Sequence, residues 1–160
     1  MHFLTPTTDL EAVNALLENI GEAPVSSLDD LALDASHAQN TLFRVSREVQ
    51  TKGWHWNTSV RKLTRDSNKE FLLPSNTVRV DTIGPSQLID VVMRGGKLYD
   101  RRNYKNTTVF EEREIHVEMV QVLGFEELPE AARQYIYIRA SRIFQEQHAG
   151  SPLTNQFDQR

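Results

Sequence analysis

Apolar positions recur at helical spacing at both ends of this chain and switch to short alternating runs in its middle. Thr8-Asp9-Leu10-Glu11 has the form of a capping box, in which a threonine oxygen and a glutamate carboxylate satisfy free backbone N–H groups. Leu10, Val13, Leu16, Leu17 and Ile20 then follow one helix face, and Gly21 suits the left-handed residue that closes such a helix. Pro24 cannot continue it, so Ala23 to Leu28 should run extended or turn. A second helix starts from Asp34 as N-cap, carries Ala35, Ala38, Leu42, Val45 and Val49 on one face, and stops at Gly53. Trp54 and Trp56 share a face if the next segment is extended, with His55 opposite.

Beyond Trp56 the period changes. Phe71 to Pro74, Thr77 to Ile83, Leu88 to Met93, Lys97 to Tyr99 and Ile115 to Leu123 are short β-type runs separated by Asn, Gly, Pro and Ser. Arg94-Gly95-Gly96-Lys97 reads as a tight hairpin turn, since both central residues tolerate positive φ. Helix resumes at Pro129-Glu130, with Ala132, Tyr135, Ile136, Ala140, Ile143 and Phe144 as apolar positions, and should stop at Gly150-Ser151-Pro152. The fold class is therefore α+β. Three main helices, at about 8–20, 34–52 and 130–148, form a bundle, and an antiparallel β domain is inserted between the second and third. One domain covers 1–150, with bundle segments 1–53 and 128–150 and the insertion 54–127; residues 151–160 form a polar tail expected to fray when free.

Length fits a single core, since 160 residues is ordinary for one domain. The chain has no cysteine, which excludes disulfides, thiolate metal sites and a thiol nucleophile. MHFLTPTTDLE lacks the basic and apolar regions of a signal peptide, and no apolar run approaches the ~20 residues of a membrane helix. Net charge is a mild -4, unevenly spread. Every charged side chain before Arg44 is acidic; Arg44, Arg47, Lys52, Arg61, Lys62 and Arg65 then face only Glu48, and Glu111, Glu112, Glu114, Glu118, Glu126, Glu127 and Glu130 make a second acidic block. Such blocks suit contacts between subunits, while intramolecular pairing accounts for them equally well.

Reaction chemistry finds little purchase. His2, His37, His55, His116 and His148 are scattered outside metal-ligand spacings, so no metal or cofactor is expected. Glu114 and His116 share a strand face, where an exposed polar edge is the simpler account. Gly95-Gly96 lies in a hairpin rather than between strand and helix, so it aims no helix dipole at a phosphate. The adjacent acid pairs Asp29-Asp30, Glu111-Glu112 and Glu126-Glu127 point apart on a strand or a helix and form no catalytic clamp. Trp54 and Trp56, with Lys52, Arg61 and Lys62 nearby, suit a sugar or base; the plainer role is packing at the bundle–sheet junction with Gly53.

VNALLENIGEAPVSSL, DASHAQNTLFRVSREVQTKGWHWN, KLYDR and FEELPEAARQYIYIRASRIFQ, in that order and reaching about residue 145, closely resemble the tail tubular protein A family of short-tailed double-stranded DNA phages. The resemblance implies a non-enzymatic virion protein assembled in the host cytoplasm. It would be a head-to-tail adaptor forming a dodecameric ring between the portal protein and the tail nozzle, around the genomic DNA channel, with tail fibres attached near its junction with the nozzle. On that reading Ser151, Pro152, Leu153, Phe157 and Arg160 belong to a portal-docking tail, and the hairpin Arg94, Gly95, Gly96 and Lys97 meets nozzle or fibre. Arg44, Arg47, Lys52, Arg61, Lys62 and Arg65 would face the acidic patch of the next subunit, and acids from 9–34 or 111–130 would line the channel. A tail-associated polysaccharide hydrolase and a nucleic-acid-binding module are the alternatives from other classes; net acidity weighs against the second.

Overall fold

In the computed structural model, residues 5–29 and 31–157 are described, with side chains through 149. The chain forms two compact units, Met1–Val49 with Gly124–Arg160, and Gln50–Leu123.

The first unit is helical. Helix α1 (Asp9–Asn19) is capped by the Thr8 hydroxyl, which accepts from the Glu11 N–H at 3.1 Å. The Glu11 carboxylate reaches back to the Thr7 N–H at 2.8 Å, one residue earlier than a capping box predicts. Gly21, at φ +78°, closes the helix while Glu22 N–H bonds the Leu17 carbonyl at 3.0 Å. Helix α2 (Leu33–Thr51) begins at Leu33, so Asp34 sits in the first turn against the positive end of the dipole instead of capping it. Between them, the Asn14 side chain grips Val25, accepting from its N–H at 2.8 Å and donating to its carbonyl at 3.0 Å.

Helix α3 (Glu130–Phe157) is longer than its sequence implies. It passes through Gly150, Ser151 and Pro152, where a stop was expected, because a proline removes one donor from the ladder without ending it everywhere. Ala12, Val13, Leu16 and Leu17 from α1, Ala35, Ala38, Leu42, Val45 and Val49 from α2, and Ile136, Ala140 and Phe144 from α3 are buried. Each larger aliphatic among them contributes ~2 kcal/mol by leaving water. Asn19 donates to the Ser141 hydroxyl and Arg139 to Glu48, both at 3.4 Å, tying α1 and α2 to α3.

The second unit carries strands β1 (Thr58–Thr64), β2 (Thr77–Thr82), β3 (Val91–Arg94), β4 (Lys97–Asp100) and β5 (Glu114–Gln121). One antiparallel sheet has the order β1-β5-β2, and β3 with β4 forms a separate hairpin. Central β5 alternates as a half-buried strand should, with Ile115, Val117 and Met119 fully buried. They pack with Phe71, Leu73, Val91, Leu98 and Phe110, and Phe71 meets Phe110 edge to face at 5.2 Å.

Two strand expectations need correction, and one strand lies outside all of them. β1 went unread because Thr58–Thr64 is an edge strand whose Arg61 and Lys62 break any apolar alternation; charged edges also discourage unwanted pairing. Phe71 to Pro74 makes only the bridge Leu72 to Lys97, since Leu73 N–H bonds the Gly96 carbonyl at 2.8 Å and Pro74 offers no donor. The run from Leu88 becomes a strand only at Val91, and Leu88 is 93% exposed in a loop.

Candidate functional site

The helix-to-sheet passage is built around two buried amides. Gln50 and Asn57 are 0% and 5% exposed, so their polar groups must be paired. The Gln50 side chain mimics a strand against Leu123, donating to its carbonyl at 3.0 Å and accepting from its N–H at 2.8 Å. Asn57 donates to the carbonyls of Gln50 at 2.8 Å and Gln121 at 3.1 Å, and accepts from Trp54 N–H at 2.7 Å. Asn57 N–H also bonds the Trp54 carbonyl at 3.1 Å, so Trp54-His55-Trp56 is a turn rather than the extended segment expected. Gly53 holds φ +80°, and an added Cβ would strike the Arg79 guanidinium and lie 3.0 Å from Val120.

Trp54 and Trp56 nevertheless stack, 6.2 Å apart and inclined by 6°. At that spacing no ring fits between them, so stacking a base or sugar would use only an outer face. Trp54 is 42% exposed. Sequence reasoning named the tryptophans and missed Gln50 and Asn57; an amide at each end of a glycine-tryptophan turn was the available signal.

Of the six basic residues, two belong to the helical unit and four to the β unit. Arg44 and Arg47 lie on the exposed face of α2, and Lys52 follows its end. Neighbours on a strand, Arg61 and Lys62 point to opposite faces of β1. Arg61 donates to Gln121 at 3.2 Å, Lys62 pairs with Glu114 at 3.5 Å, and Arg65 donates to the carbonyls of Phe110 at 2.8 Å and Glu111 at 3.1 Å.

The hairpin forms where expected, with Gly95 at φ +59° and Gly96 at +73°. Arg94 lies over the Tyr99 ring at 4.1 Å, and Lys97 pairs with Glu70 at 3.1 Å. A hydrogen bond from Thr108 and then that of Lys97 hold the Glu70 carboxyl below its ordinary pKa.

A further cluster closes the loop between β4 and β5. Arg102 forks to both oxygens of Asp100, each at 3.0 Å, and to both of Glu112, at 2.6 and 3.0 Å. Asp100 is fully buried; burial opposes its ionisation, but Arg102 side-chain and backbone hydrogen bonds outweigh that and lower its pKa. Hydrogen bonding to Arg102 likewise lowers that of Glu112, and the two carboxylates raise that of Arg102. Beyond this clamp, Asn103 and Tyr104 take φ +49° and +59°, and Tyr104 is 95% exposed.

In the docking-tail expectation, Ser151, Pro152, Leu153 and Phe157 fall on α3, but their side chains, and Arg160 entirely, lie outside the described residues. Among the described residues, no group of three His, Asp or Glu is placed to hold a metal, and no helix is long and apolar enough to cross a membrane. Two shallow grooves mark the helical unit, one lined by Pro24, Val25, Asp29, Leu31 and Ala32, the other by Tyr135, Ile138, Arg139 and Arg142.

Sequence comparison gives this architecture a place. The curated "Tail tubular protein A" of Klebsiella phage KP34 is 27% identical over 128 residues, 80% of this chain and 66% of that protein, so the chain matches just under two thirds of its relative's length. A sequence model described as "Tail tubular protein" matches residues 10–160, both ends of the helical unit and the whole insertion between them, and the chain therefore belongs to the tail tubular protein family.

Proposed function

We propose that this chain is a structural component of a phage tail, the adaptor ring that joins the portal to the tail nozzle and surrounds the path of the genome. The family match across residues 10–160 carries this reading. A scaffold rather than a catalyst also suits the largest buried polar groups of the β unit, where Gln50 is bonded to the Leu123 backbone and Asp100 and Arg102 to each other.

Assembly would be homo-oligomeric, a dodecamer closing on the portal, with the Arg94–Lys97 hairpin facing nozzle or fibre and the distal turns of α3 docking on the portal. Acidic residues would line the bore, where carboxylates repel DNA phosphates and let the genome slide. Imaging the purified protein with and without its portal tests this. A ring that appears with portal supports it, and a protein that binds neither portal nor nozzle overturns it. Removal of Pro152 to Arg160 should abolish portal binding while leaving the thermal unfolding transition in place; unchanged binding would remove the tail from the interface.

A further inference from the structure

Two surfaces of the helical unit complement one another. On α3, the core side is Ile136, Ala140 and Phe144, and the opposite side presents Tyr135 at 53% and Ile138 at 42% exposure with Arg142 beside them. Ser141, bonded to α1, and Arg139, bonded to α2, lie two residues and roughly 200° apart on the helix, so this stripe runs between the flanks that α1 and α2 occupy. Tyr135, Ile138, Arg139 and Arg142 line a shallow groove, apolar in floor, in which Arg139 is paired with Glu48 and Arg142 is exposed.

The counterpart is the entry to α2. Leu33 is 70% exposed, with Asp29 and Asp34 flanking it, and no Lys or Arg precedes Arg44 in the whole chain. Upstream, Val25 is held by its two hydrogen bonds to the Asn14 side chain.

We propose that Leu33 of one copy seats on Tyr135 and Ile138 of the next, with Asp29 and Asp34 facing Arg142. The occupant is a second copy of this chain because one unit carries both halves, apolar to apolar and acid to base. Contacts between two different surfaces propagate head to tail and close into a ring. The contact is small, so a single pair of copies holds weakly and closure depends on many seams at once. This inference rests on the ring reading and specifies its seam.

The chain contains no cysteine, so engineered thiols report cleanly. Chains carrying Leu33→Cys and chains carrying Ile138→Cys are mixed, assembled on portal and oxidised. A reducible dimer of the two chains is expected as the main product, absent when Glu18→Cys replaces Leu33→Cys. Arg142→Glu should weaken ring formation ~10-fold, and Asp29→Arg in the same chain should recover most of it. Rings of normal mass with no such dimer, or with Ile138→Cys linked to another tail protein, overturn the seam and leave the ring reading standing. No ring under any condition overturns both.

Discussion

The two units differ in what builds their interiors. In the β unit several polar side chains are turned inward: Gln50 and Asn57 complete backbone ladders, Arg102 is forked between two carboxylates, and Glu70 binds Lys97 and Thr108. In the helical unit an apolar stripe on each helix makes the core, and many charged groups remain at the surface, including Glu11, Glu18, Arg44 and Arg142. A polar group already satisfied within its own fold has little to offer a partner, whereas an exposed charge on a rigid helix does. The β unit is thus specified in part by polar groups in its interior, and the helical unit mainly by apolar ones.

Breaking the Asp100–Arg102–Glu112 clamp is the most severe test of that contrast. Arg102→Met should cost ~3 kcal/mol in urea unfolding, because Asp100 would stay buried with its counter-charge gone and only the backbone N–H of residue 102 still donating to it. Asp100 and Glu112 have lowered pKa values in the fold, so the clamp's contribution is full above their unfolded values and is lost as pH falls through the folded ones. The gap between wild type and variant should therefore narrow in acid; a constant gap would mean the clamp is not ionic in effect. Next comes Gly53→Ala, at about 1–2 kcal/mol, from the left-handed backbone and the crowding by Arg79 and Val120. Thermal unfolding unchanged by it would show that the turn relaxes.

The contrast has an exception in the helical unit, and it predicts a gain. Asp9 is partly buried with Oδ1 unpartnered, and burial, with Glu126 nearby, raises its pKa. A raised acid favours folding below its unfolded pKa and opposes it as pH climbs through the folded value. Asp9→Asn should accordingly stabilise at neutral pH, with the advantage vanishing on acidification in matched melts. Smallest is Glu118→Lys, about 0.5 kcal/mol stabilising, since Glu118 stands directly across from Asp81 in the sheet. High salt should erase most of that difference.

Sequence legibility follows the same division. All three helices, the glycine hairpin, the acid and base blocks and the resemblance to the family could be read from local spacing, because a helix face or a two-residue turn is encoded within a few positions. The β1 strand could not, since its place beside β5 depends on residues 50 or more positions away and its own Arg61 and Lys62 hide the pattern. The clamp was equally hidden: Glu111-Glu112 looks like any acidic pair until the loop brings Arg102 to one member and leaves the other exposed. Helix α3 outran its predicted stop because propensity at Gly150 and Pro152 is a bias against helix and no prohibition.

The sheet order β1-β5-β2 also dictates a sequence of events during synthesis. As soon as β5 has left the ribosome, every strand of the insertion is present and Gln50–Leu123 can close. Helices α1 and α2 are made earlier, yet the apolar stripe of α3 that completes their core comes last. The newborn chain thus holds a finished middle between unfinished ends, and those ends stay sticky the longest, a window in which a chaperone or a premature neighbour would bind.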